Sequence, residues 1–179
     1  MNILVAEDDP DTLKLYSRVL RDRGHYVVLT EDGEKCLVAY NNEFKKISDA
    51  KDIRDRIQPF DALILDHKMP KIDGFEAAKE ILAINPHQRI IIASAYNKEI
   101  FEEGADFFDI PLEVLQKPFR RDTLIATVED TALYDKLKKY LEDIEPFRKA
   151  NLRHEQLKAI ADAFDKEETE SRSPETNVD

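Results

Sequence analysis

The chain has 179 residues, 42% apolar and 36% charged, with a formal net charge of −11. That is room for one well-cored domain plus an appendage, and the acidity excludes broad attraction to nucleic acid, which rests on neutralising phosphates with Lys and Arg. No apolar segment approaches the ~18 residues that span a bilayer. The start, Met1–Asn2–Ile3–Leu4, lacks the basic, long-apolar pattern of a secretion signal, so a cytoplasmic location is expected. The single cysteine, Cys36, reads as a small apolar helix residue.

In chain order, strands and helices alternate. Ile3 to Ala6 predicts a buried strand, followed by a helix that Asp9 or Asp11 can cap, with Pro10 suited to its first turn. Leu13, Tyr16 and Leu20, with Leu15 and Val19 beside them, form its core stripe, and Gly24 ends it. Tyr26 to Leu29 is a second strand. Asp32–Gly33 turns into a helix carrying Cys36, Leu37 and Tyr40, and the charged stretch from Glu43 to Arg56 either extends it or forms a broken helical insertion. Ala62 to Leu65 is the third strand, and Gly74 opens a helix with Phe75, Ala78, Ile81 and Leu82 inward, closed near Asn85–Pro86. Arg89 to Ser94 is the fourth strand. Lys98 to Glu103 reads as a short helix, Phe107 to Pro111 as an irregular connection, and Val114 to Gln116 as the fifth strand. The next helix begins near Arg121 or Asp122. Five βα units give a parallel sheet with helices on both faces.

Three strand ends carry the chemistry. Ile3 to Ala6 runs into Glu7–Asp8–Asp9, Leu63 to Leu65 into Asp66, and Val114 to Gln116 into Lys117. Open α/β sheets bind their ligands at that edge. Three carboxylates held close repel one another unless a cation intervenes, and an all-oxygen set suits Mg²⁺. The plainer alternative is that Glu7 to Asp9 only cap a helix. A carboxylate such as Asp66 can act as a nucleophile toward phosphoryl groups, whose transfer asks mainly for positioning and charge neutralisation. Lys117 and Mg²⁺ would neutralise, with the Ser94 hydroxyl as a short donor. His25, His67 and His87 share no metal-ligand spacing, and no P-loop or Gly-rich dinucleotide motif occurs.

The acidic pair Glu7–Asp8, Asp66 before Lys68–Met69–Pro70 and Asp73–Gly74, Ser94–Ala95, and Lys117–Pro118–Phe119 occur in that order. With this set, Asn2 to Tyr134 resembles the receiver domain of two-component response regulators. The resemblance implies a doubly wound, flavodoxin-like α/β fold with five parallel strands in the order 2-1-3-4-5. It implies Asp66 as the residue accepting a phosphoryl group from the phosphohistidine of a histidine kinase or phosphotransfer protein. Asp8 would ligate Mg²⁺ directly and Glu7 through water, with Asp66 and the Lys68 main-chain carbonyl completing the protein ligands. Lys117 would pair with the phosphoryl oxygens, Ser94 would donate to one of them, and the Ala95 amide would help. Lys117–Pro118 would be a cis peptide. Movement of Ser94 toward the phosphoryl group would bias the face formed by the fourth helix, fifth strand and fifth helix.

Three residues or stretches depart from the family pattern. Val114 stands where an aromatic residue is usual, the Glu43 to Arg56 extension is longer than the usual connection, and Lys68 sits two places after Asp66, either shielding the phosphoryl group or pointing to solvent.

The organisation expected is a receiver domain at 1–134, an amphipathic helical extension at 135–166 and a disordered acidic tail at 167–179. Leu133, Leu137, Tyr140, Leu141 and Ile144 form one stripe up to Pro146, and Phe147, Ala150, His154, Leu157, Ala161 and Phe164 a second. This extension is too short for a helix-turn-helix output domain, so direct nucleic-acid binding is not expected. Its apolar stripe packs back on the receiver, docks a downstream protein target, or pairs with a second copy, the homodimer being favoured. His154 falls on that stripe and reads as a packing residue. The function implied is a switch that is not an enzyme. The rivals are a Mg²⁺-dependent aspartyl phosphatase, against which Lys68 stands where such enzymes of the haloacid dehalogenase type carry a second Asp, and an unphosphorylated scaffold.

Overall fold

The computed structural model describes residues 1–48, 58–95, 112–133 and 151–171. The expected short helix at Lys98 to Glu103, the Phe107 to Pro111 connection, all of the first stripe beyond Leu133, and the end of the tail lie outside them. In chain order the elements are β1 (Asn2–Ala6), α1 (Pro10–Asp22), β2 (Tyr26–Thr30), α2 (Gly33–Ser48), β3 (Ala62–Asp66), α3 (Gly74–Ile84), β4 (Ile90–Ser94), β5 (Leu112–Gln116), α4 (Arg121–Glu129), β6 (Asn151–Arg153) and α5 (His154–Ser171). No helix among the described residues is long and apolar enough to cross a membrane.

All strands pair in parallel, and the five expected ones stand in the order β2-β1-β3-β4-β5. β3 and β4 are buried at every position, which is why they read as unbroken apolar runs. Alternation along the strands divides the core into two layers. Leu4, Leu63, Leu65, Ile92 and Val114 face α2 and α3, while Ile3, Val5, Ile64, Ile91 and Leu115 face α1 and α4.

Local chemistry starts α1 and α3. Asp9 caps α1, its carboxylate accepting from Thr12 N at 2.7 Å, with Pro10 in the first turn. Gly24, at φ 81°, takes the left-handed step after it. Leu15, placed beside the α1 stripe by its spacing, is instead 57% exposed. Asp73 and Glu76 form a reciprocal capping box on α3.

A sixth strand extends the sheet. Leu112, Glu113 and Val114 pair with Asn151, Leu152 and Arg153, where a helical stripe running through Ala150 and His154 is expected. Pairing engages β5 backbone groups that a five-stranded sheet leaves to water, and this outweighs the helical spacing of the side chains. The helix follows at once, with Gln156 accepting from the Arg153 N–H as at a helix start. α5 runs to Ser171, so the expected disordered tail is helical over its first residues. Leu157 and Ala161 pack on Leu133 of the same chain, and His154 lies 3.5 Å from Asp130.

A buried ion pair fastens the starts of β4 and β5 to the end of α4. Arg89, 2% exposed, donates to both carboxylate oxygens of Glu113 at 2.6 and 2.9 Å, and to the carbonyls of Thr127 and Val128 at the end of α4.

Candidate functional site

Strand register assembles the site. Ala6 pairs with Leu65, Asp66 with Ala93, and Ser94 with Gln116, so β1, β3, β4 and β5 end nearly level. Glu7, Asp66, Ser94 and Lys117 therefore emerge side by side at the carboxyl edge, although they lie far apart in sequence. Backbone bonds pin the strand ends: Glu7 N to Thr30 O at 3.1 Å ties β1 to β2, His67 N to Ala93 O at 2.9 Å ties β3 to β4, and Lys117 N to Ser94 O at 2.7 Å ties β5 to β4.

Glu7, Asp8 and Asp66 each turn an oxygen toward one point, the three lying within 4.8 Å of one another. The acidic run thus divides its labour: Asp9 caps the helix, and Glu7 and Asp8 join Asp66. Glu7 and Asp66 are buried, and Asp8 is exposed. Lys117 Nζ donates to Glu7 Oε2 and to Asp66 Oδ1, both at 2.6 Å. The three carboxylates, two of them buried, are a hard-oxygen donor set that fits Mg²⁺.

The electrostatics follow from burial. Burial pushes the Glu7 and Asp66 carboxyls above their ordinary values; the Lys117 hydrogen bond pulls both down without cancelling the rise, and neighbouring carboxylates add to it. For Lys117, burial works against the charge, but the bonds to Asp66 and Glu7 outweigh it and hold its pKa above the usual lysine value. Tyr16, stacked on Phe119 with ring centres 5.5 Å apart, keeps its phenol proton because burial and the Glu7 and Asp66 charges raise its pKa.

The loop after Asp66 is rigid for readable reasons. A Cβ on Gly74 would overlap the Asp66 carbonyl oxygen, and the Gly74 N–H donates to His67 O at 3.0 Å. Lys71, at φ 70°, reaches Asp32 and Glu34 at 2.9 and 2.8 Å, tying the loop to the start of α2. Lys68 is exposed, and Lys117–Pro118 is cis. Val114 is buried in the layer shared with Leu4 and Ile92.

One residue of the site escaped sequence reasoning. His67 is 2% exposed, and its Nδ1 lies 3.1 Å from Ser94 Oγ. Lack of metal-ligand spacing set it aside. Its signal was the position itself, directly after the strand-ending Asp66, where the chain turns back under the sheet.

A doubly wound 2-1-3-4-5 sheet with an acidic cluster and a lysine at its carboxyl edge defines a receiver-type domain with a cluster typical of a phosphoacceptor site. The model of the response regulator receiver domain family matches residues 3–129, and the chain belongs to that family. It is similar to the transcriptional regulatory protein ZraR of Escherichia coli O157:H7, 31% identical over 134 residues, covering 72% of this chain and 26% of ZraR. The chain thus spans about a quarter of that relative's length. It is also similar to the response regulator receiver protein CpdR of Brucella abortus (26% identical, 71% of this chain and 92% of CpdR). Among solved structures, the receiver domain of the sensor histidine kinase PA1611 from Pseudomonas aeruginosa PAO1, with magnesium coordinated in its active-site cleft, is 26% identical with TM-score 0.57, covering 72% of this chain and 94% of that one. Receiver domains generally partner histidine kinases.

Proposed function

We propose that this chain is a phosphorylation-operated response regulator that takes a phosphoryl group onto Asp66 from the phosphohistidine of a histidine kinase or phosphotransfer protein. An Asp66 oxygen attacks phosphorus, the P–O bond forms as the P–N bond breaks, and the bonding pair leaves with the donor imidazole, which takes up a proton. Glu7, Asp8, Asp66 and the Lys68 carbonyl would hold Mg²⁺, which supplies positive charge against the phosphoryl oxygens. Lys117 provides the second cation, and the Ser94 hydroxyl donates to a phosphoryl oxygen. The observation that carries the reading is Lys117 Nζ bridging Asp66 and Glu7 at 2.6 Å inside the three-carboxylate cluster.

The reaction serves as a switch rather than as turnover: Lys68 stands where an aspartyl phosphatase would carry its general acid. Output runs through protein contacts, to a second copy or a downstream protein, made by the extension at 135–166. Incubation with Mg²⁺ and acetyl phosphate, followed by intact-mass measurement, tests this. A single adduct in the wild type, lost in Asp66→Asn, is expected. Repeated turnover without an adduct would favour the phosphatase, and neither adduct nor turnover an inert scaffold.

A further inference from the structure

We propose that His67 is a positioning residue that holds the Ser94 hydroxyl in the unmodified protein, so that a phosphoryl group on Asp66 must take this hydroxyl from the imidazole. The proposal rests on the reading of Asp66 as phospho-acceptor and adds a regulator to that site.

Both partners are fixed except for one rotor. His67 has its N–H on Ala93 O at 2.9 Å and its C=O on Gly74 N at 3.0 Å. Its ring stands edge-on to Phe75, with centres 4.9 Å apart and planes at 72°. An imidazole so packed, 2% exposed, has no room to follow a moving hydroxyl. Ser94 is equally buried, and its carbonyl accepts the Lys117 N–H at 2.7 Å. Rotation of the Ser94 side chain among its staggered positions is the soft motion that would move the hydroxyl between the two acceptors.

Ser94 has one hydroxyl proton to give. In the structure Oγ lies 3.1 Å from His67 Nδ1. The residue before Ser94 pairs with Asp66 across the sheet, which sets Ser94 at the same carboxyl edge, one residue beyond the level of the modified carboxylate. With Nδ1 as acceptor, a bond to His67 and a bond to the phosphoryl oxygen exclude each other. The imidazole thus opposes the modified arrangement by the worth of one neutral hydrogen bond, about fivefold in an equilibrium constant. Release of the hydroxyl leaves Nδ1 without this bond beside Phe75, which couples the event to the first turn of α3.

Beryllofluoride, a phosphoryl mimic, tests the idea with the full chain. Its Mg²⁺-dependent affinity is measured by calorimetry for wild type, His67→Phe, His67→Asn, Ser94→Ala and the double variant His67→Phe/Ser94→Ala. His67→Phe keeps a packed ring and deletes Nδ1, and should bind about fivefold tighter. His67→Asn, whose side-chain oxygen replaces Nδ1 as acceptor, should stay near wild type. On the Ser94→Ala background His67→Phe should change nothing, an outcome that mere packing would not produce. Equal or weaker binding in His67→Phe overturns the proposal, as does the same tightening with and without the Ser94 hydroxyl. If the Phe variant does not fold, nitrogen NMR of the His67 ring decides: the Nδ1 resonance should move on adding the mimic to wild type and not in Ser94→Ala, and identical shifts in both would end the proposal. An acetyl phosphate adduct on Asp66 together with any of these failures removes the role of His67 alone. Absence of that adduct from the wild type removes the reading of Asp66 and this role with it.

Discussion

Replacing Lys117 by methionine keeps an aliphatic stem and deletes the ammonium that Glu7 and Asp66 share. Both bonds are 2.6 Å long, from a lysine side chain 22% exposed to carboxylates 3% and 11% exposed. Hydrogen bonds to charged groups contribute about 1.5–3 kcal/mol each, so the gross loss is about 3–6 kcal/mol. Two relaxations offset part of it: the ammonium is no longer held out of water, and one carboxyl can take up a proton. The net cost is then about 2–3 kcal/mol near pH 8. Its pH dependence has a definite sign. Without the lysine, the already raised Glu7 and Asp66 values rise further. A carboxyl whose folded pKa exceeds its unfolded value costs stability above the folded pKa, and that cost fades as pH falls toward the unfolded value of about 4. The deficit of Lys117→Met should therefore shrink as pH falls toward about 4, and Mg²⁺ should stabilise the variant more than the wild type. Urea unfolding followed by circular dichroism, with sodium chloride as the ionic-strength control, measures all of this. A loss below about 1 kcal/mol near pH 8, or a deficit indifferent to both pH and Mg²⁺, would refute the shared-cation account.

Arg89→Met leaves Glu113 buried without its guanidinium and should cost about 3–5 kcal/mol in denaturant unfolding, most of it recovered in Arg89→Met/Glu113→Leu. Gly74→Ala drives a methyl into the Asp66 carbonyl oxygen; it should lower the melting temperature and cut acetyl phosphate labelling of Asp66 at least tenfold, so full labelling would show that the loop yields cheaply. Glu129 is lowered to about 2, first by the Arg23 hydrogen bond, with His25 assisting. A depressed carboxyl stabilises above its unfolded pKa and loses this as pH falls toward the folded one, so acid titration from about pH 4.5 to 2 should unfold wild type more steeply than Glu129→Gln.

Much of the fold was legible because burial leaves marks on composition. The runs Leu63–Ile64–Leu65 and Ile90–Ile91–Ile92 are apolar without alternation since both faces are covered, and Asp9–Pro10 and Asp73 start helices by chemistry that is local. Glu7, Asp8, Asp66 and Lys117 could be grouped because each follows a strand at the carboxyl edge, whereas Ser94 joined them only through the ordered motif set and the family resemblance it carries. What stayed hidden depends on partners distant in sequence. Arg89 reads only as the start of the fourth strand until Glu113 and the carbonyls ending α4 enclose it. His67 looks incidental until β4 brings Ser94 to its ring. Asn151–Leu152–Arg153 has no strand signature of its own, since its pairing is made by the backbone and directed by the open side of β5.

That last segment alters how the molecule meets other chains. A parallel sheet ending at β5 would offer a row of unsatisfied donors and acceptors to any passing extended polypeptide, the usual seed of uncontrolled assembly. Here three residues of the protein's own chain occupy most of that row, and the rim they leave outermost is too short to template another strand. A foreign strand seeking this side of the sheet would first have to displace a tethered competitor, which re-forms its bonds without any loss of translational freedom.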